Sequence, residues 1–116
     1  MKFKDYNMLH FFKKLFQKNY ESLAAAEFKS QMDADKSAVL IDVRSPGEYA
    51  GGKIKGAKNI NVSSGDFQQK IAKLDKDKNY YVYCRSGARI GMACSSMAAA
   101  GLKVVNLSGG IMRWPY

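Results

Sequence analysis

Tyr80-Tyr81-Val82-Tyr83-Cys84-Arg85-Ser86-Gly87-Ala88-Arg89 runs from a β-prone tetrad into one cysteine, a glycine and two arginines. An Ala-, Met- and Ser-rich segment follows, from Ala88 to about Ala100, and Gly101 closes it. Tyr and Val favour a pleated strand, and the later segment reads as a helix with a glycine stop. The loop between them therefore sits at a helix N-terminus, where the backbone contributes about half a positive charge. Its amide groups have no partners inside the helix and are able to point at an anion. Gly87 permits the curled backbone this needs, and Arg85 and Arg89 add full charges. A cysteine is a nucleophile only as its thiolate, so the loop suits a thiolate, a persulfide or a bound oxyanion. Read without its flanks, Cys84 is equally a small apolar residue that ends a strand.

Outward from this loop the chain alternates strands with helices. Ala38–Val43 is a nearly continuous apolar run of strand length, as expected of a strand covered on both faces. Ser45 and Pro46 are an N-cap and a first-turn proline, so a short helix starts there and stops at Gly51-Gly52. Ala57–Asn61 is a short strand. A helix capped by Ser63 or Ser64 runs to about Leu74, with Phe67, Ile71 and Leu74 as its stripe. Leu102–Leu107 is the last strand, Ser108-Gly109-Gly110 a turn, and Ile111–Trp114 a final helical turn. Ahead of these, a helix covers Ala24–Met32 with Leu23, Phe28 and Met32 inward. The alternation predicts an α/β fold with a mostly parallel central sheet and helices on both faces. Sites in such sheets collect at the carboxyl ends of the strands. The loops Arg44–Glu48, Cys84–Arg89 and Ser108–Gly110 all leave strand ends, and side by side they make one pocket.

The chain has 116 residues, enough for one domain, with no internal repeat and no low-complexity tract. Residues 1–20 form a basic extension and 21–116 the domain. Within the extension, residues 8–20 read as an amphipathic helix: Leu9, Phe12, Phe16 and Tyr20 recur at helical spacing, Phe11 and Leu15 widen the face, and Lys13, Lys14 and Lys18 interleave. That face serves a membrane surface or a partner, or it packs on its own domain or on a second copy. The formal net charge is +9, which favours anionic partners. No nucleic-acid-binding motif accompanies it, and none is expected as a partner. Two cysteines and one histidine make neither a disulfide framework nor a metal site. Cys94 is read as core. No stretch reaches transmembrane length, and a reactive thiol without an export signal is expected in the cytoplasm.

Four motifs together resemble the rhodanese (sulfurtransferase) domain family. Leu40–Arg44 with Glu48-Tyr49 is similar to its aspartate-valine-arginine motif and downstream glutamate. Gly52–Ile60 is similar to its glycine-histidine-isoleucine to asparagine-isoleucine segment, with Lys53 in place of the histidine. Cys84–Arg89 resembles its active-site loop, and Leu107–Trp114 its terminal paired glycines and tryptophan. They occur in the family's order across residues 38–114. Ala88 and Ile90 replace residues that are often polar, a departure that bears on donor preference.

The resemblance implies a rhodanese-like three-layer fold and sulfane-sulfur transfer. Cys84 would take sulfur from an anionic donor such as thiosulfate and pass it to cyanide, a thiol or a protein acceptor. The loop residues Arg85, Ser86, Gly87, Ala88 and Arg89 would cradle the persulfide, and Asp42, Arg44 and Glu48 would shape the site through ion pairs. Gly109, Gly110 and Trp114 would be architectural. No metal or cofactor is implied, because the persulfide is itself the intermediate. The molecule would be a monomer or a homodimer. Two other readings stand beside this one. A phosphatase or arsenate reductase of related fold needs five residues between cysteine and arginine, and here Ile90 occupies that arginine's place. A non-catalytic binding or redox module of the same fold usually lacks the cysteine.

Overall fold

The computed structural model describes residues 20–86 and 90–116. In chain order the elements are β1 (Glu21–Leu23), α1 (Ala25–Asp33), β2 (Ala38–Asp42), α2 (Pro46–Gly51), β3 (Lys58–Asn59), α3 (Phe67–Ala72), β4 (Asn79–Tyr83), α4 (Ile90–Ala99) and β5 (Lys103–Leu107), then a 3₁₀ turn, Ile111–Arg113. The strands form one parallel sheet in the order β1-β5-β4-β2-β3. The α/β architecture read from the alternation is the one observed.

Side-chain alternation along the central strands builds two cores. On one face Ile41, Val43, Tyr80, Val82, Cys84 and Val104 pack with α3 and α4 through Phe67, Ile71, Ala93, Cys94 and Met97. On the other, Leu40, Tyr81, Tyr83, Val105 and Leu107 pack with Phe28 of α1 and with Ile54 and Trp114. β4 thus buries every residue from Tyr80 to Tyr83, which is why it reads as apolar throughout rather than alternating. Full burial of a side chain such as Phe28 or Ile71 contributes about 1.5–3 kcal/mol each.

Several local expectations needed adjustment. Leu23 belongs to β1, a three-residue edge strand paired with β5, and not to the helix after it; so short a segment carries no period to read. Tyr20 lies in a bend, and the rest of the expected helix over 8–20 falls outside the described residues. α3 begins at Phe67, later than a cap at Ser63 or Ser64 would place it. Ser64 instead bonds the Asp66 carboxylate, while the Ser63 amide donates to Asn61 Oδ1 (3.0 Å), so both serines serve a turn that competes with helix. The stripe Phe67, Ile71 and Leu74 nevertheless faces the core. α2 starts as read: Ser45 and Glu48 form a reciprocal capping box with Pro46 in the first turn.

Candidate active site

Since β5, β4 and β2 are neighbours, the three loops leaving them lie at one edge of the sheet. Cys84 follows β4 directly and is 1% exposed, with its side chain on the α3–α4 face. Arg85 and Ser86 are exposed; Gly87, Ala88 and Arg89 lie outside the described residues. The strand end is held by the 3₁₀ turn. The Ile111 amide donates to the Cys84 carbonyl (2.9 Å) and the Met112 amide to the Arg85 carbonyl (3.0 Å). These two backbone contacts have no side-chain signature, and sequence reasoning missed them.

Around these loops the described residues line two hollows. A hollow of about 310 Å³ is lined by Arg44, Glu48, Arg85 and Met112. A second, of about 600 Å³, is lined by Ser86, Ser108, Gly109, Met112 and Arg113. Met112, 64% exposed, lines both.

Asp42 and Arg44 meet as a buried ion pair. Arg44 Nη2 donates to Asp42 Oδ2 (2.7 Å) and Nε lies 3.1 Å from both carboxylate oxygens. The Arg44 amide also donates to Asp42 Oδ1 (2.8 Å), so the aspartate turns its own backbone out of β2. Arg44 Nη2 reaches the Gly52 carbonyl (2.6 Å), and its guanidinium lies 5.7 Å from the Tyr83 ring centroid, within cation–π range. The carboxylate raises the affinity of the guanidinium for its proton, while burial opposes this. Asn59 Nδ2 donates to the carbonyls of Asp42 (3.0 Å) and Arg44 (2.9 Å) and so ties β3 to the same corner. The two charges thus answer each other at the end of β2. Glu48 Oε1 accepts from the Ser45 amide (3.2 Å) and Oγ (3.0 Å), and Glu48 lines the same hollow as Arg85.

Tyr83 continues this support beneath the loop. Its hydroxyl accepts from the Ile54 amide (3.0 Å), and burial pushes its phenol far above the ordinary range. Trp114 stands edge-on to Phe28, with centroids 5.9 Å apart, consistent with an architectural role. Cys94 is fully buried in the core shared with Cys84, as read from sequence, and neither cysteine is in a disulfide. Among the described residues no group of His, Cys, Asp or Glu is arranged to hold a metal ion, and no helix is long and apolar enough to cross a membrane.

A family model, the rhodanese-like domain, matches residues 24–115. The chain belongs to the rhodanese-like domain family. Among its relatives this rhodanese-like chain is 39% identical over 94 residues to the Bacillus subtilis protein YtwF, a match covering 81% of this chain and 89% of that one. It is 36% identical over 91 residues to a sulfurtransferase of Allochromatium vinosum, covering 77% and 83%. A solved rhodanese-related protein of Thermoplasma volcanium superposes with a TM-score of 0.71 at 34% identity, over 82% of this chain and 90% of that one. Sulfur transfer is thus a role found at the level of the family, and the three-layer rhodanese fold is the fold of this chain.

Proposed function

We propose that this rhodanese-like protein is a sulfurtransferase that carries sulfane sulfur on Cys84. The observation that carries the reading is the seat of Cys84: a buried thiol at the carboxyl end of a central parallel strand, followed directly by Arg85, which lines a hollow at that strand end. In the first half-reaction the Cys84 thiolate, its proton released to solvent, attacks the outer sulfur of an anionic donor such as thiosulfate. The new bond joins Sγ to that sulfur; the donor's S–S bond breaks and its electron pair leaves with sulfite. In the second, cyanide or a thiolate attacks the outer sulfur of the persulfide, giving thiocyanate or a new persulfide and restoring the Cys84 thiolate. Arg85, with Arg89, attracts the anionic donor, and loop amides from Arg85 to Arg89 stabilise the persulfide anion. Asp42, Arg44 and Glu48 act as positioning residues. We read the working location as the cytoplasm, where thiols stay reduced.

Intact mass after incubation with thiosulfate tests this on wild type and Cys84→Ser, before and after cyanide. One added sulfur atom on wild type alone, removed by cyanide, is the expected result. An equal gain on Cys84→Ser rules out Cys84 as carrier. The phosphatase reading gains nothing from the geometry, because Ile90, at the position of that family's arginine, is buried among the core residues.

A further inference from the structure

Beside the hollow that holds Arg85 lies another groove that the sulfur chemistry does not use. It has a volume of about 460 Å³, within the range of binding clefts. Ile54, Trp114 and Tyr116 contribute apolar surface, and Lys29, Lys53, Lys55 and Asp33 contribute its charged groups. Trp114 is held edge-on between Phe28 and Tyr116, the latter at 5.1 Å between centroids. Tyr116 itself is 61% exposed. Anchored aromatics at an open edge are the residues that dominate binding hot spots.

The charge on the rim decides what the groove accepts. Lys29 pairs with Asp33 at 2.5 Å, so that cation is answered within the protein. Lys53 and Lys55 are exposed and make no ion pair with any described residue. Lys53 is held in place: its Nζ donates to Tyr49 Oη (3.3 Å) and lies 4.3 Å from that ring's centroid. The Tyr49 hydroxyl in turn donates to the Ala57 carbonyl (2.6 Å). The chain's own residues 1–20 carry five lysines and one aspartate and would bring like charge to this rim. A second copy, at +9, meets the same objection. Charge complementarity selects an acidic occupant with an apolar tip.

Position supplies its purpose. Ile111 lines both this groove and the hollow that holds Arg85, and its amide is bonded to the Cys84 carbonyl. We propose that the groove formed by Lys53, Lys55, Ile54, Trp114 and Tyr116 docks an acidic, apolar-tipped segment of the protein that accepts sulfur from Cys84. The binding site stands on its own geometry; its role for the acceptor rests on the sulfurtransferase reading above.

The test uses the full chain and a rhodamine-labelled peptide, Glu-Asp-Leu-Trp-Asp-Glu-Gly-Cys, with a counterpart in which lysine replaces each acidic residue. Binding is read by fluorescence anisotropy. Wild type is expected to bind the acidic peptide at least about tenfold more tightly than the basic one, with an affinity that falls as salt rises. Lys53→Glu/Lys55→Glu is expected to weaken it about tenfold, and Tyr116→Ala is expected to weaken it with the rim charge intact. Lys36→Glu/Lys73→Glu, two exposed lysines outside the groove, is expected to leave it unchanged. Equal binding by wild type and the groove charge-reversal variant overturns the proposal, as does an equal loss in the control variant. So does a wild-type dimer, seen by light scattering, that Lys53→Glu/Lys55→Glu makes monomeric, since a second copy then covers the groove. Persulfide formation from thiosulfate is expected to be equal in wild type and Lys53→Glu/Lys55→Glu, while transfer to the peptide thiol slows in the variant. If wild type forms no persulfide, the sulfurtransferase reading fails while anisotropy still decides the groove. If it does form and the groove variants bind like wild type, the docking proposal alone fails.

Discussion

Gly110 packs directly against the backbone of Arg85: a β-carbon placed on it would stand 2.4 Å from the Arg85 carbonyl oxygen and 2.6 Å from that of Cys84. Its φ of +66° is also one that other residues rarely adopt. The obstacle is strand-end backbone, which moves only if the loop moves with it. Gly110→Ala is expected to cost about 3 kcal/mol in urea unfolding and to lower sulfur transfer about a hundredfold. Gly109 is the comparison. It has φ +82°, but its β-carbon would meet a side chain, Arg113 Cγ at 2.7 Å, and not the loop backbone. Gly109→Ala is expected to cost about 1–2 kcal/mol with transfer largely kept. Equal losses of activity in the two variants would show that Gly110 does not position the loop.

The Asp42–Arg44 pair predicts an order of stabilities. Asp42 is fully buried and Arg44 6% exposed, so removing one partner strands the other charge. Arg44→Ala is expected to cost about 3–5 kcal/mol by chemical denaturation. Arg44→Lys keeps the charge but loses the two-point contact and the reach to Gly52, and is expected to cost about 1–2 kcal/mol. An Arg44→Ala protein as stable as wild type would mean the pair contributes nothing net.

The two cysteines are expected to separate cleanly. Cys94→Ala removes one buried sulfur from the core and is expected to cost about 1 kcal/mol, while intact mass after thiosulfate still shows one added sulfur. Loss of that sulfur in Cys94→Ala with the fold intact would show that Cys94 takes part in the chemistry.

Asp35 predicts a pH effect. Its carboxylate accepts from Asn79 Nδ2 (2.8 Å), Tyr81 Oη (2.9 Å) and the Ser37 amide (2.9 Å). The Asn79 bond is the main cause, followed by Ser37 and Tyr81, that holds it below its ordinary value of 3.8. A carboxyl depressed in the folded state binds its proton more readily when unfolded. Its contribution is therefore full above the unfolded value and lost as pH falls through the folded one. The stability difference between wild type and Asp35→Asn, from denaturation curves, is expected to shrink as pH drops below about 4. A difference independent of pH would show that the charge of Asp35 has no part in it.

Much of the fold was legible because its signals are local. Ser45, Pro46 and Glu48 announce the start of α2 through contacts within three residues. The unbroken apolar runs at Ala38–Val43 and Tyr80–Tyr83 announce strands covered on both faces. Where local preference and turn chemistry compete, the reading slipped: Ser64 turned to Asp66 rather than capping α3, and β1 was too short to show a period.

The sequence by itself determined the alternation of strands and helices from α1 onward, the place of Cys84 at a strand-to-helix junction and the excess of positive charge, since each is a property of neighbouring residues. The tertiary structure alone decided which strand ends lie together, that Met112 lines the hollows on both sides of the loop end, and that Gly110 must lack a side chain. It also decided that Lys53 and Lys55 share a groove with Trp114 and Tyr116. These relations arise from parallel pairing and backbone hydrogen bonds between residues far apart in the chain, such as Ile111 to Cys84. An amide and a carbonyl are the same at every non-proline position, so no residue type announces where such a bond will form.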